Sequence, residues 1–502
     1  MNRDQPASAI VAEPSGGPLE ILSGERSSLA LVCGLALALA LLFLNPFIGH
    51  WDSYDYMKYI LTGQRTSLML GRPYFILYNY GLVSIGSFVG LKAAHAYLLV
   101  KFAVVLLSAV ASGAIYLVFR ELVSRRPALI GAILSTASPV FAVYSGMVMT
   151  EIPMLAFTYL GLWLYLIGLR RAGWSALLVG SACIGFAIGV REQAVFATPF
   201  LLLFPLIRRN ASWRAIILSW IVGAAICCAG PLYLLVTDPG YWPTIKKWLW
   251  FMGAEKKRHP IDWTNIVIWA KWVVANQPLG AFLFGFGLVH LIRERRQLPL
   301  ALGFVALQLG LIASLAGYQD LLYSPRYLMI AIPGVALAAA LPIDRWLERS
   351  ARPKLVLGVL GGMLAAVLIT SFVVTLPYRP VFSKARTYHE RIGTLGPRSV
   401  FIVGQYCPYI GYLKAVGYPQ SWDVVCAGWT WPREKLAGVI DGHLASGQSV
   451  YIDLDPHLWY GPRLQQDLGY FTRIAPRYHL EPLGGTLYRI RTKAHRRADR
   501  TP

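Results

Sequence analysis

The 502-residue sequence predicts an α-helical polytopic membrane bundle of about eleven spans, followed by a small C-terminal α/β domain outside the membrane. Three observations predict it. Hydrophobic residues make up 56% of the chain and the mean hydropathy is +0.50, above the range of soluble domains. Apolar runs of helix length recur along residues 27–376. Beyond them, residues 380–491 turn polar and show short strand-like runs.

The first 25 residues are polar with Pro and Gly and read as a disordered cytoplasmic tail. The first apolar run, 27–49, has no small-residue cleavage site and reads as a signal anchor. Further runs fall at 94–123, 127–144, 149–169, 174–190, 193–207, 213–237, 276–292, 298–317, 327–343 and 354–376. With Arg26 inside, Arg125–Arg126, Arg170–Arg171, Arg208–Arg209, Arg293–Arg296 and Arg345–Lys354 all fall on the cytoplasmic side, as the positive-inside rule expects. That agreement requires residues 73–90 not to cross, and their Pro73, Asn79 and glycines suit an interfacial or re-entrant helix. The domains are then 1–25, a membrane domain 26–378, an extracytoplasmic α/β domain 379–492 and a basic tail 493–502.

The net charge of +22 does not point to nucleic acid, because its basic residues lie in short clusters between spans. Cys33, Cys183, Cys227 and Cys228 sit in apolar runs, and no CxxC metal spacing occurs. Cys407 and Cys426 lie in the outer domain in adjacent strand–loop regions, where a disulfide is expected. In that domain SVFIVG (399–404), DVVCAG (423–428) and SVYIDLD (449–455) read as buried strands, with helices near 408–416 and 432–446. A terminal hairpin turns at Gly484–Gly485. GQYCPYIG has no phosphate-loop glycine pattern, so no nucleotide site is expected.

This topology gathers the unusual polar residues on the outer face: Asp52, Asp55, Glu151, Arg191, Glu192, Asp320 and Arg326, with the Trp-rich loop 238–273. Ionisable residues at such depth are paired or functional. Asp52, Asp55, Tyr56 and Tyr59 share one helical face. A carboxylate there can take a proton from an acceptor hydroxyl or amine, and Asp52 is equally a good N-cap with Asp55 in the first turn. In SGMVMTEIPM, Thr150 reads as a cap and Glu151 as a first-turn acid, or as the partner of a second carboxylate or a metal. Arg191 in GVREQA needs an anion, either Glu192 or a lipid phosphate. Arg326 in YSPRYLMIAIP opposes the helix dipole, so a phosphate or Asp320 is expected beside it.

The acid motif with a tyrosine four residues on (Asp52 to Tyr56), the TExP-like span start, the G-x-x-x-[KR] break and the RYxxxxxP span start occur here in the order seen in GT-C membrane glycosyltransferases. Over residues 25–345 the chain resembles the branch with protein O-mannosyltransferases and lipid A aminoarabinose transferases. The resemblance implies a polyprenyl-phosphate sugar donor, transfer outside the cytoplasmic membrane, and inversion at the anomeric carbon. It implies Asp52 as the base, with Asp55 or Glu151 holding it, and Arg191, Arg326 and Tyr327 at the donor phosphate. Tyr56, Arg72 and Glu192 then complete the substrate site. The sequence departs from many relatives in having Ser53 after Asp52 instead of a second acid, and GRPYF instead of lysine and paired prolines. No cofactor is required, although three carboxylates also suit a divalent cation. Membrane lipids and an envelope lipid, glycan or protein acceptor are the implied partners. A secondary transporter or flippase is the alternative; transporters often show repeated halves, and none is evident here.

Overall fold

The computed structural model describes residues 18–44, 51–63, 72–207, 210–243, 245–246, 249, 263–293, 298–315, 325–375, 395, 398–404, 407–417, 423–426, 435–455 and 462–493. The bundle helices are α1 (Pro18–Leu42), α2 (Trp51–Thr62), α3 (Pro73–Phe88), α4 (Ala96–Leu122), α5 (Arg125–Thr136), α6 (Pro139–Tyr144), α7 (Glu151–Arg171) and α8 (Trp174–Val190). They continue with α9 (Thr198–Ile207), α10 (Trp213–Thr237), α11 (Trp263–Asn276), α12 (Pro278–Arg293), α13 (Leu298–Leu315), α14 (Ile332–Arg349) and α15 (Pro353–Thr375). The C-terminal domain holds β1 (Ser399–Val403), α16 (Cys407–Ala415), β2 (Asp423–Cys426), α17 (Leu436–Ala445), β3 (Ser449–Asp453), α18 (Pro462–Ile474), β4 (Tyr478–Pro482) and β5 (Leu487–Thr492).

Among the described residues, five helices are long and apolar enough to cross a membrane: Gly24–Leu42, Ala93–Leu122, Glu151–Arg171, Trp213–Thr237 and Pro353–Val373. A sixth span is available if α11 and α12 count as one segment, bent by 111° at their break. Several expected spans are broken. The run 127–144 divides into α5 and α6, because Ser138 caps a new helix through the Phe141 amide and Pro139 follows it. The run at 193 opens with a 3₁₀ turn, Glu192–Ala197, and the run at 327 opens within another, Pro325–Leu328, its α-helix starting only at Ile332. The first helix begins at Pro18, inside the stretch expected to be a tail. The loop expected over 238–273 contains the start of α11, whose Trp269 indole donates to Gln308 on α13 at 2.9 Å. Helix α3 has 16 residues, short of the ~20 that span a bilayer.

Close helix approach sets the geometry around the site. At Gly185 a Cβ would run into the Gly223 carbonyl, so α8 and α10 touch backbone to backbone. Tyr74 occupies the space beside Gly189, stacks on Phe186 with centroids 4.8 Å apart, donates to the Ile226 carbonyl and accepts from the Gly230 amide. The start of α3 is thus pinned to α8 and α10.

The C-terminal domain is built on a five-stranded sheet in the order β2-β1-β3-β5-β4. β1 runs parallel to β2 and β3, and β3–β5–β4 is antiparallel, with the hairpin at the expected glycines. The strands fall where the sequence puts them. α18 has no counterpart in the sequence reading. Cys407 and Cys426 form a disulfide with Cα atoms 5.6 Å apart, within bonding geometry. The apolar core is continuous from the bundle into the sheet.

Candidate functional site: a cluster of three arginines and three acids

Helix α8 ends at Val190, and Arg191 is extended (φ −157°), which turns its side chain into the protein core. There it is fully buried. Its Nη1 lies 2.7 Å from Glu151 Oε1 and donates to Thr150 Oγ1 at 2.8 Å, while Nε donates to Gln193 Oε1 at 2.7 Å. Of the two anions expected for Arg191, Glu192 or a lipid phosphate, Glu192 is not the protein partner used. Glu151 fills that role because α7 starts opposite the α8 break. Thr150 occupies the N-cap position of α7 without capping it; its hydroxyl serves Arg191 instead.

Arg326, in the 3₁₀ turn before α14, reaches the same acid. Its Nη1 pairs with Asp52 Oδ2 at 2.7 Å and its Nε lies 3.6 Å from Glu151 Oε1. The guanidiniums of Arg191 and Arg326 lie 5.2 and 5.4 Å from the centre of the Tyr327 ring. Asp320, its expected ion partner, lies outside the described residues. Asp52 is therefore not an N-cap: it sits in the first turn of α2 and its carboxylate faces Arg326. Among the described residues, Arg191 Nη2 and Arg326 Nε are buried donors that complete no hydrogen bond.

Arg72 forms a second branch. It is buried and lies in the left-handed region (φ 41°, ψ 51°), a cost of order 1–3 kcal/mol that the surroundings must offset. Glu192 supplies two contacts, 3.3 and 3.2 Å from Nε and Nη2, and Nη1 donates to the Tyr56 hydroxyl. Bidentate carboxylate pairing suits the guanidinium fork. Tyr74, two residues on, anchors this backbone.

Asp55 lies one turn beyond Asp52, 3.8 Å from Lys58. Burial, with the nearby Asp52 charge, pushes its carboxyl up to about 6, and Lys58 only partly opposes this. A carboxyl raised in the folded state holds a proton that the unfolded chain has released. Stability therefore falls as pH rises from the ordinary carboxylate range through about 6. The Asp55→Asn variant should lose that dependence, so its thermal midpoint relative to wild type rises between pH 4 and 8. Parallel midpoint–pH curves would refute the shift.

The structure thus brings together Asp52, Glu151, Arg191, Arg326 and Tyr327, with Tyr56, Arg72 and Glu192 alongside. Asp55 is near but paired to Lys58. Thr150 as an acceptor, Gln193 and Lys58 were not foreseen; the only signal for Gln193 was its place in the polar break GVREQA. Among the described residues no three acidic, histidine or cysteine side chains converge as a metal site. Asp52 and Glu151 each face a guanidinium and Asp55 faces Lys58, an arrangement that does not fit a shared cation.

A sequence family described as dolichyl-phosphate-mannose-protein mannosyltransferase matches residues 94–234. No curated protein matches the sequence. Among solved structures, ArnT from Cupriavidus metallidurans bound to undecaprenyl phosphate is similar at 13% identity and a TM-score of 0.58, over 94% of this chain and 98% of that one. The Archaeoglobus fulgidus oligosaccharyltransferase tethered with an acceptor peptide gives 13% identity and 0.58, over 93% and 74%. AglB from the same organism, in complex with an inhibitory peptide and a dolichol-phosphate, gives 12% identity and 0.57, over 94% and 75%. The chain has the fold of these GT-C membrane proteins, as the motif order implied.

Proposed function

We propose that the chain is an inverting glycosyltransferase that moves a sugar from a polyprenyl-phosphate donor to an envelope lipid, glycan or protein acceptor on the outer face of the cytoplasmic membrane. The observation that carries this is the pair Arg191 and Arg326. Both flank Tyr327, both reach Glu151, and each keeps a buried N–H without a hydrogen bond. A phosphate oxygen satisfies such donors, and arginine holds phosphate through a planar fork. The likeness to proteins solved with undecaprenyl phosphate and dolichol-phosphate supports the same donor class.

In the reaction, the acceptor oxygen or nitrogen attacks the anomeric carbon opposite the phosphate. The bond from that carbon to the phosphate oxygen breaks, the lipid phosphate leaves, and Asp52 takes the acceptor proton. Inversion follows from the single displacement. A donor phosphate competes with Asp52 for the Arg326 guanidinium, so its arrival frees the Asp52 carboxylate to meet the acceptor. Glu151 keeps Arg191 and Arg326 together, and Glu192 with Tyr56 keeps Arg72 in place.

The test is release of undecaprenyl phosphate from a panel of synthetic undecaprenyl-phosphate-linked hexoses and pentoses, with Asp52→Asn as the control. A wild-type protein that releases nothing from any of them contradicts the reading. The sidedness is tested separately. Reporters fused after Arg126, Arg209 and Arg296 should read cytoplasmic and one after Pro377 external, as the basic clusters require. A cytoplasmic signal at Pro377 would put the site on the wrong face.

A further inference from the structure

Helix α2 carries Asp52, yet it has only 12 residues. A helix that short is not stable alone in water, so its neighbours must order it. One face is held by the arginine network already described. The opposite face presents Tyr54, which is 3% exposed and is covered by the outer domain. Its ring meets Tyr409 edge-on with centroids 5.1 Å apart and Tyr412 at 5.7 Å, both on α16. One turn on, the Lys58 stem crosses α16 at Gly411, where a Cβ would come within 2.9 Å of Lys58 Cδ. Helix α16 is in turn fixed to the sheet. Its first residue, Cys407, is bonded to Cys426 at the end of β2, and Tyr409, Ile410, Tyr412 and Leu413 are buried in the same core as Phe401 of β1.

We infer that Tyr54, Tyr409 and Tyr412 are positioning residues for Asp52, making the outer domain a structural part of the catalytic site. The clamp touches no reacting atom. It fixes where the first turn of α2 stands relative to Arg326 and to the incoming acceptor. A displacement of about 1 Å at a reacting group costs on the order of 10²-fold in rate. Loosening the clamp should therefore lower turnover while leaving the arginine site for the lipid phosphate intact. The turnover arm of the test rests on the glycosyltransfer proposed above; the exchange arm does not.

The experiment uses the full-length protein in detergent. Hydrogen exchange is followed in peptides covering residues 51–62 for wild type, Tyr54→Ala, Tyr54→Phe and Tyr409→Ala. Both alanine variants should exchange at least about tenfold faster in α2, while Tyr54→Phe, which keeps the ring, matches wild type. With a donor from the panel that wild type uses, kcat should fall about 10- to 100-fold in the alanine variants, with KM unchanged and recovery in Tyr54→Phe. The Kd for undecaprenyl phosphate should stay within about twofold of wild type. Wild-type exchange in α2 of Tyr54→Ala would overturn the inference. So would normal kcat, or a Kd that worsens in step with kcat, which marks general unfolding. If an alanine variant does not fold, Tyr54→Leu and Tyr409→Leu give the same readings. If no donor turns over in wild type, the glycosyltransfer reading fails and the exchange result alone decides the clamp.

Discussion

Asp52→Asn should abolish sugar transfer while leaving the lipid-phosphate site able to bind. Asn keeps the shape of the side chain and loses the base, and loss of a general base costs on the order of 10² to 10⁴ in rate. The structure adds a second expectation. Asp52 occupies Arg326 Nη1 at 2.7 Å, so removing its charge leaves that guanidinium more available to phosphate. The variant should bind undecaprenyl phosphate as tightly as wild type or more tightly. Asp55→Asn should be milder, because Asp55 faces Lys58 and not the arginine pair. Near-normal turnover in Asp52→Asn together with severe loss in Asp55→Asn would move the base to Asp55.

Glu151→Gln should be the most destabilising single change in the site. Glu151 and Arg191 are both fully buried, and Arg326 leans on the same carboxylate. Removing one partner of a buried pair leaves an uncompensated charge at a cost of about 3–5 kcal/mol. Here two guanidiniums lose their shared anion. The prediction is a large drop in the thermal midpoint and in the yield of monodisperse protein. Glu151→Gln combined with Arg191→Met should recover much of the stability, since apolar replacement of a buried pair is often neutral, yet should recover no activity. Wild-type stability in the single variant would show that Glu151 does not carry this charge balance.

Hydropathy made the bundle legible, and the alternation of short apolar strands with Gly turns made β1 to β5 legible almost to the residue. The acids and arginines of the site were legible as costly residues at helix ends. Their pairing was not. Arg191 stands beside Glu192 in sequence but pairs with Glu151, while Glu192 reaches back 120 positions to Arg72. Those choices are made by where helices meet, through contacts such as Gly185 on Gly223 and Tyr74 on Gly189, which carry no charge signal. The left-handed backbone at Arg72 was hidden for a related reason: a non-glycine residue adopts it only when its surroundings impose it. The helix break at Ser138–Pro139 was hidden because a run of apolar residues reports length, not continuity, whereas the break after Val190 was legible in the polar GVREQA.

If, as proposed, Arg191 and Arg326 hold a lipid phosphate beside Asp52, the Kd of undecaprenyl phosphate must differ between wild type and Arg326→Lys. Lysine keeps the charge but not the planar fork. Losing one charge-assisted hydrogen bond should raise Kd about tenfold or more in Arg326→Lys. An unchanged Kd in that variant would take Arg326 out of the phosphate site.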